Sequence, residues 1–557
     1  VIGICAGDEI RVRYPEEDAS TLALALGCSR IFASVLQMRG LGCSEKARAK
    51  HRPGLRLALE ELFLGNEDPG GEGLRAALRK GARVVVYGDY DVDGVAATSL
   101  AVELCLSYGA EVRYYIPHRR LQGYGIHEDM IGRILQMGCD LLLVVDCGTR
   151  DRKILEGVVA AGVPVWVFDH HLPEGPTVRE AGAVLINPHA SDGDEEGVRL
   201  CATGVLWAWL FRNALAPEEW LRERLDLVAL ATVADCVSLG PLNRSLVFEG
   251  LERIRQGRRV GLRLLAERLG LVFQRIGEED LAMKLIPCLN AAGRLDLADV
   301  SVRVLLGEKD TLQWVERLVE LNRKRQYLSG RLVDEISTAI SAEERHVLRG
   351  NEWPVGILSS VASRLCSQFR RPIALAAPAG EVLRGTLRVP GGVDAVAILR
   401  DVEEHLLEWG GHRQAAGFSV APERWSLVEK RLEYSLSEVE IQEDLLEVLA
   451  FPPQEIDMAS WREVETLGPF GMGNPRPLLY TENKGIPSLR PLGGNGRHVT
   501  VEVGGVPLLG FNAAKLLAGC PNPRGWVYAP RIDHWRGQAR LQFVLERIVH
   551  SGGVEHA

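Results

Sequence analysis

Residues 83–94 read RVVVYGDYDVDG, an apolar, β-branched run that ends abruptly in three aspartates at alternate positions, Asp89, Asp91 and Asp93. The same event recurs twice. LLLVV (141–145) ends in Asp146-Cys147-Gly148, and PVWVF (164–168) ends in Asp169-His170-His171. Short apolar runs of this kind predict buried strands, and the stretches at 94–109 and 153–162 read as helices. VRYYIP (112–117) is strand-like as well. Strands alternating with helices at this spacing mean βαβ units and a parallel sheet. In an open parallel sheet, ligands bind beyond the carboxyl ends of the strands, so the three polar ends are expected to face one crevice. A fourth acid, Asp235, lies at the end of the apolar run LDLVALATVADCV.

Carboxylates and imidazoles brought together in this way repel one another and lose hydration unless something neutralises them. Divalent cations do both. Oxygen-rich ligation with one or two histidines suits Mn²⁺ or Mg²⁺ better than a thiolate-seeking metal. Two such ions ~3.5–4 Å apart can bridge an activated water and a phosphoryl oxygen. Any single cluster here reads first as a turn or a helix cap. The metal reading rests on four of them in one topology.

The rest of the chain bounds the possibilities. At 557 residues, three to four domains are expected. The net charge is −9, so no global basic field draws the chain to a polyanion; such a substrate would need local basic patches and metal. The 11 cysteines form no Cys-x-x-Cys pair and sit mostly in apolar runs, which fits reduced thiols and a cytoplasmic protein. Uncharged apolar runs fall well short of the ~18 residues of a membrane helix, so no membrane contact is expected. No basic-then-apolar leader precedes Arg11, and because the chain opens on Val1 its natural start is expected upstream. The expected organisation is an N-terminal lead-in packing on the catalytic domain (1–75), an α/β catalytic domain with a parallel sheet (76–255) and a helical connector (256–345). A smaller α/β substrate-binding domain (346–440) and a strand-rich, OB-fold-like β-barrel (450–550) follow. Within the connector, 308–343 lacks proline and reads as one long helix.

GDYDVDG (88–94), DCGT (146–149), DHH (169–171) and ADCVSL (234–239) together resemble the four motifs of the DHH phosphoesterases. Within that superfamily the resemblance is closest to the branch of single-strand-specific 5′→3′ exonucleases. YIPHRRLQGYG (115–125), INPH (186–189), NAAGR (290–294), WGGHRQAAGF (409–418), PFGMGNPRP (469–477) and GQARLQF (537–543) support it, so it runs from about residue 80 to 548. The resemblance implies two divalent cations, Mn²⁺ or Mg²⁺, held by Asp91, Asp93, Asp146, His170 and Asp235. Asp89 is a further ligand at the catalytic centre, His171 lies near the scissile phosphate, and Asp169 orients the histidines. It implies a DHH-associated domain that grips substrate through Gly410, Gly411 and His412, with Arg294, Arg364, Arg371 and Arg388 as phosphate contacts. In the barrel, Trp535, Arg536, Phe511 and His498 are candidates for contact with a single strand, although Phe511 and Phe543 read first as barrel core. Single-stranded DNA is the implied substrate, degraded to mononucleotides in repair and recombination. A single-strand binding protein and a helicase are implied partners, and a monomer is expected.

The chain departs from the family pattern at four places. Tyr87 stands where many DHH enzymes have histidine, and Cys288 where arginine is usual. Residues 351–365 are shorter than the family's segment, and the fourth motif carries Cys236 and Ser238. Two alternatives stay open at this point: a DHH phosphodiesterase of short oligonucleotides or small nucleotides, and an inactive DHH-type DNA-binding scaffold.

Overall fold

The computed structural model describes residues 9–16, 18–42, 54–65, 70–79, 81–119, 122–136, 138–173, 175–441, 445–485, 487–493, 497–514, 517, 520, 522–535, 538–550 and 554–556. Its first strand, β1 (Glu9–Arg13), belongs to a sheet completed only at the other end of the chain. The catalytic sheet begins with β2 (Arg83–Tyr87), followed by β3 (Glu111–Tyr115), β4 (Leu141–Val145), β5 (Val165–Phe168) and the short β6 (Val184–Ile186). All neighbours are parallel, in the order β3-β2-β4-β5-β6. From β2 the chain goes to one side for β3 and to the other for β4. The carboxyl ends of β2 and β4 therefore flank the topological switch point, where an open sheet leaves a crevice.

The helix Val92–Ser107 crosses back from β2 to β3 and is buried along most of its length. It is apolar on every face because it packs on the sheet and also against the helices Ala202–Arg212 and Leu225–Ala234. This catalytic core does not stop near residue 255. Leu262, Leu289, Val302, Val315 and Leu321 join the same apolar cluster as Val84 and Leu141. Only the helix Thr311–Glu343 leaves it, 33 residues long and so about 50 Å at 1.5 Å per residue. Its far half buries Leu332, Val333, Ile336 and Ile340 in a second core.

That second unit is a five-stranded sheet of β7 (Val347–Arg349), β8 (Ile373–Ala379), β9 (Val382–Arg388), β10 (Glu408–His412) and β11 (Ala415–Val420). Its order is β10-β11-β9-β8-β7. The helix Val355–Phe369 packs against it.

The third unit contains β12 (Leu445–Ala450), β13 (Leu479–Glu482), β14 (Ser488–Leu492), β15 (His498–Val503), β16 (Val506–Gly510), β17 (Gly525–Trp535), β18 (Gln538–Val549) and β19 (Val554–His556). β1 is inserted between β12 and β19, parallel to both. The expected lead-in, residues 1–75, thus packs on the third unit as well as on the catalytic domain. Leu55, Leu59, Leu74 and Leu78 do join the catalytic core. Ile10 and Val12 are buried with Val448 and Val527, and Ile31, Val35 and Leu36 with Leu449 and Trp461. The physical reason is that β12 would otherwise present an open edge, which the lead-in strand covers. Among the described residues no single helix is long and apolar enough to cross a membrane. The two helices Ala19–Leu26 and Arg30–Met38 have that length and composition only together, across a sharp bend.

Candidate metal centre

Gly94 explains why the first motif can form. A Cβ there would lie 2.5 Å from the Asp89 carbonyl oxygen, so only glycine lets the helix Val92–Ser107 start directly against the loop. Asp91 caps that helix, its Oδ1 accepting from the backbone N–H of Asp93 (3.0 Å) and Gly94 (3.2 Å). Asp93 is buried and faces the N-terminus of the helix Ala202–Arg212. It accepts from the N–H of Ala202 (2.7 Å) and Thr203 (2.9 Å) and from the Thr203 hydroxyl (2.6 Å). Asp146 follows β4 with φ of 61°, a left-handed conformation costly for a non-glycine residue, and is buried.

The four motifs meet. His170 Nε2 lies 3.5 Å from an Asp146 oxygen, 3.7 Å from Asp235 and 3.9 Å from Asp93. Three overlapping sets have ligand atoms within 4.8 Å of one another: Asp93, His170 and Asp235; Asp89, Asp91 and Asp146; and Asp146, His170 and His171. Two unit charges ~4 Å apart at an effective dielectric of ~20 interact by about 4 kcal/mol, so the bare cluster resists full ionisation. Burial, and then the neighbouring Asp91, hold the Asp89 carboxyl well above the usual range. Burial followed by the surrounding aspartates does the same to Asp146 and Asp235. Burial and the neighbouring His171 push His170 down, toward the neutral imidazole that binds metal. Asp89 Oδ1 is buried with no hydrogen-bond partner. A buried acceptor without a donor, among carboxylates that cannot all ionise, fits a pair of hard divalent cations.

Asp169 is different. Its Oδ2 accepts from the N–H (3.1 Å) and hydroxyl (2.6 Å) of Thr149, and its Oδ1 from the N–H of His170 (2.8 Å) and from His171 Nδ1 (2.7 Å). Burial alone would raise its pKa, but these bonds and the histidines hold it well below the usual range. Burial likewise opposes the charge on His171, yet the bond to Asp169 wins and pushes it up to about 9. Tyr124 adds a ring 5.0 Å from His171 and a hydroxyl 2.9 Å from its Nδ1. Asn187, fully buried, donates to the Thr149 hydroxyl (2.9 Å) and the His171 carbonyl (2.8 Å). Sequence reasoning noted the stretches holding Tyr124 and Asn187 only as part of the resemblance. Nothing in their spacing shows the contacts.

A basic cluster stands beside the acids. The helix Ile286–Leu295 approaches the first motif so closely that a Cβ on Gly293 would lie 2.5 Å from the Tyr90 carbonyl. Its Arg294 reaches across to Ser359 Oγ (3.3 Å) in the second unit. Burial and then Arg119, Arg325 and Arg388 lower its pKa to about 9. Burial and Arg119 lower Arg388 to about 10. Arg388 donates to Ser363 Oγ (3.0 Å) and to the Thr386 hydroxyl (3.0 Å). Arg119, whose guanidinium lies 4.8 Å from the Tyr90 ring centroid, and Arg325 were not singled out from the sequence. The other arginines differ. Arg364 is exposed, and Arg371 donates to the Glu344 carbonyl (2.7 Å) past the end of the connector helix.

Gly410, Gly411 and His412 form the exposed edge strand β10. A Cβ on Gly411 would lie 2.3 Å from the Ala415 carbonyl, so this glycine is required by its neighbour in the hairpin. In the third unit Phe543 is core, whereas Phe511 is 44% exposed and meets the His498 ring edge-on at 5.8 Å. Trp535 ends β17, and Arg536 lies outside the described residues. Tyr87 is buried in β2, its hydroxyl donating to the Gly125 carbonyl (3.0 Å). Cys288 is buried in the helix Ile286–Leu295.

Comparison with known proteins follows the same division. The DHH family N-terminal domain matches residues 83–232, the DHHA1 domain 339–438 and the RecJ OB domain 449–547. The single-stranded-DNA-specific exonuclease RecJ of Escherichia coli K12 is 33% identical over 520 residues, covering 85% of this chain and 88% of that one. The chain belongs to the RecJ family. RecJ from Thermus thermophilus, solved in complex with Mn²⁺, superposes with a TM-score of 0.79 at 29% identity, covering 98% of this chain and 80% of that one. The same protein solved with Mg²⁺ gives 0.71 at 28% identity, with 98% and 79% covered. The α/β core, the DHH-associated unit, the long helix and the OB-type module are thus a RecJ arrangement, and Mn²⁺ and Mg²⁺ are the ions found with it.

Proposed function

We propose that this chain is a metal-dependent exonuclease that degrades single-stranded DNA from 5′ to 3′, releasing mononucleotides. One observation carries the reading: acids from three separate segments converge on His170, with Asp89 Oδ1 buried and unpartnered, beside arginines whose burial calls for an anion. Asp91, Asp93, Asp146, His170 and Asp235 hold the cations, and Asp89 completes the set. Bound there, two divalent ions supply an activated water and neutralise the phosphodiester.

The protein's own groups do the rest. The helix N-terminus at Ala202 fixes Asp93, and Asp169 fixes His171. With Nδ1 held by Asp169, His171 keeps Nε2 for a phosphoryl oxygen, and its raised pKa keeps it protonated and donating at neutral pH. Arg119, Arg294 and Arg388 pair with backbone phosphates, which removes their mutual repulsion. His412 and the Gly410–Gly411 strand extend the grip, with Arg364 further along the same unit. The third module receives the strand on exposed groups such as Phe511. A role in repair and recombination, partnership with a single-strand binding protein and a helicase, a cytoplasmic location and a monomeric state complete the proposal; they rest on the family.

The test is digestion of oligonucleotides labelled at the 5′ or the 3′ end, with Mn²⁺ and then with EDTA, beside Asp146→Ala. Early release of 5′-labelled mononucleotide by the wild type alone, and only with metal, is the expected result. Early release of the 3′ label would overturn the polarity. Intact strands bound equally by both proteins would leave a DNA-binding scaffold.

A further inference from the structure

Asp235 differs from Asp91 and Asp93 in how it is held. Asp93 accepts three hydrogen bonds, and Asp91 caps its own helix. The Asp235 carboxylate accepts none among the described residues, and its side chain is 28% exposed. It follows the last turn of the helix Leu225–Ala234, and the next residue, Cys236, is left-handed with φ of 54°. Its place is therefore set by the backbone of the loop 235–240.

Besides the burial of Leu239 in the catalytic core, two hydrogen bonds hold that loop. Asn243, fully buried, donates to the Ser238 carbonyl (2.9 Å). The other contact comes from the third module: the N–H of Leu239 donates to the Met472 carbonyl at 2.7 Å. Met472 lies in a tight turn, Gly471–Asn474, whose ends exchange backbone hydrogen bonds at 3.0 and 3.1 Å. Buried Asn474 locks the turn, donating to the carbonyls of Leu467 (3.0 Å) and Pro469 (2.8 Å) and accepting from Arg39 (2.9 Å). Ion pairs from Arg476 to Glu278 and from Arg531 to Glu279 tie the module to the catalytic unit alongside. Both glycines are in close contact. A Cβ on Gly473 would lie 2.2 Å from Ser238 Oγ, and one on Gly471 would lie 2.9 Å from Leu239 Cδ1.

We propose that the Gly471–Asn474 turn of the C-terminal module is a positioning element for Asp235 and thereby sets cation affinity at the site Asp235 shares with Asp93 and His170. This rests on reading Asp235 as a ligand. The module thus has a second role besides receiving the strand: it completes a cation site more than two hundred residues away in sequence.

The experiment uses the full chain. Mn²⁺ affinity is measured by calorimetry, single-strand affinity by anisotropy in EDTA, and folding by thermal melting, for wild type, Asp235→Asn, Gly473→Val, Gly471→Val, Ser238→Gly and Gly473→Val with Ser238→Gly. Gly473→Val should weaken Mn²⁺ binding by about tenfold, the scale of losing a group that orients a ligand, while single-strand affinity stays within about twofold. Adding Ser238→Gly, which removes the atom in the way but not the strain of valine at φ of 72°, should recover part of the loss. A merely structural defect would lower melting and DNA binding together and would not respond to that change. Gly471→Val, where φ is ordinary, should give a smaller loss and decides the matter if Gly473→Val does not fold. If Asp235→Asn weakens Mn²⁺ binding but the folded glycine variants do not, the positioning proposal fails while the ligand reading stands. If Asp235→Asn has no effect, the ligand reading itself fails, and the proposal with it.

Discussion

At the scale of single residues, the centre is a set of groups whose protonation depends on one another. His171 has a folded-state pKa of about 9 against an ordinary value near 6.5. Its contribution to stability is therefore complete below about pH 6.5 and lost as pH rises through about 9. Asp89, Asp146 and Asp235, also raised, act in the same direction. The metal-free chain is expected to melt at progressively lower temperature between pH 6 and 9, and added Mn²⁺ should abolish the trend. Metal binds the charged carboxylates, so its binding works against their raised pKa. Calorimetry of Mn²⁺ binding near neutral pH, in buffers of differing ionisation enthalpy, should therefore show net proton release. In EDTA, Asp169→Asn should move the His171 titration seen by NMR down toward its ordinary value, because burial is then opposed only by Asp235 and Asp89.

At the scale of elements, the site depends on how closely backbones approach. Gly94→Ala places a methyl 2.5 Å from the Asp89 carbonyl, and overpacking of this kind costs about 1–3 kcal/mol. The expected outcome is a lower melting temperature together with loss of Mn²⁺ binding, since Asp89, Asp91 and Asp93 all ride on that turn. Arg388→Ala acts through a strand of the second unit. It should weaken single-strand binding across sequences and reduce the slope of log affinity against log salt by about one, as removal of a phosphate contact does.

At the scale of the molecule, the two ends of the chain share one sheet. Val12→Asp buries a charge against Val448 and Val527 and is expected to raise hydrogen exchange in β12 and β13 while β2 and β4 keep their protection. Equal loss of protection in both sheets would show that the third module and the catalytic core unfold as one unit. Their stabilities can differ because each buries its own apolar cluster, one around Trp461 and Trp526 and the other around Val84 and Leu141.

The sequence by itself determined the catalytic sheet and the acidic and histidine groups at its strand ends. A strand that ends in charge states locally both where it is buried and where it stops, and three such endings converge by the geometry of a parallel sheet. The long helix was equally plain, since an uninterrupted run of periodic apolar residues carries its own signal. Tertiary structure alone decided what depends on partners distant in the chain. Nothing near Glu9 tells that its strand inserts between β12 and β19, and nothing near Asp235 tells that a turn at Gly473 touches its loop. Arg119, Arg294 and Arg388 come together only when three separate segments meet. Periodicity records which face of an element is buried, whereas which element covers that face is a property of the folded chain.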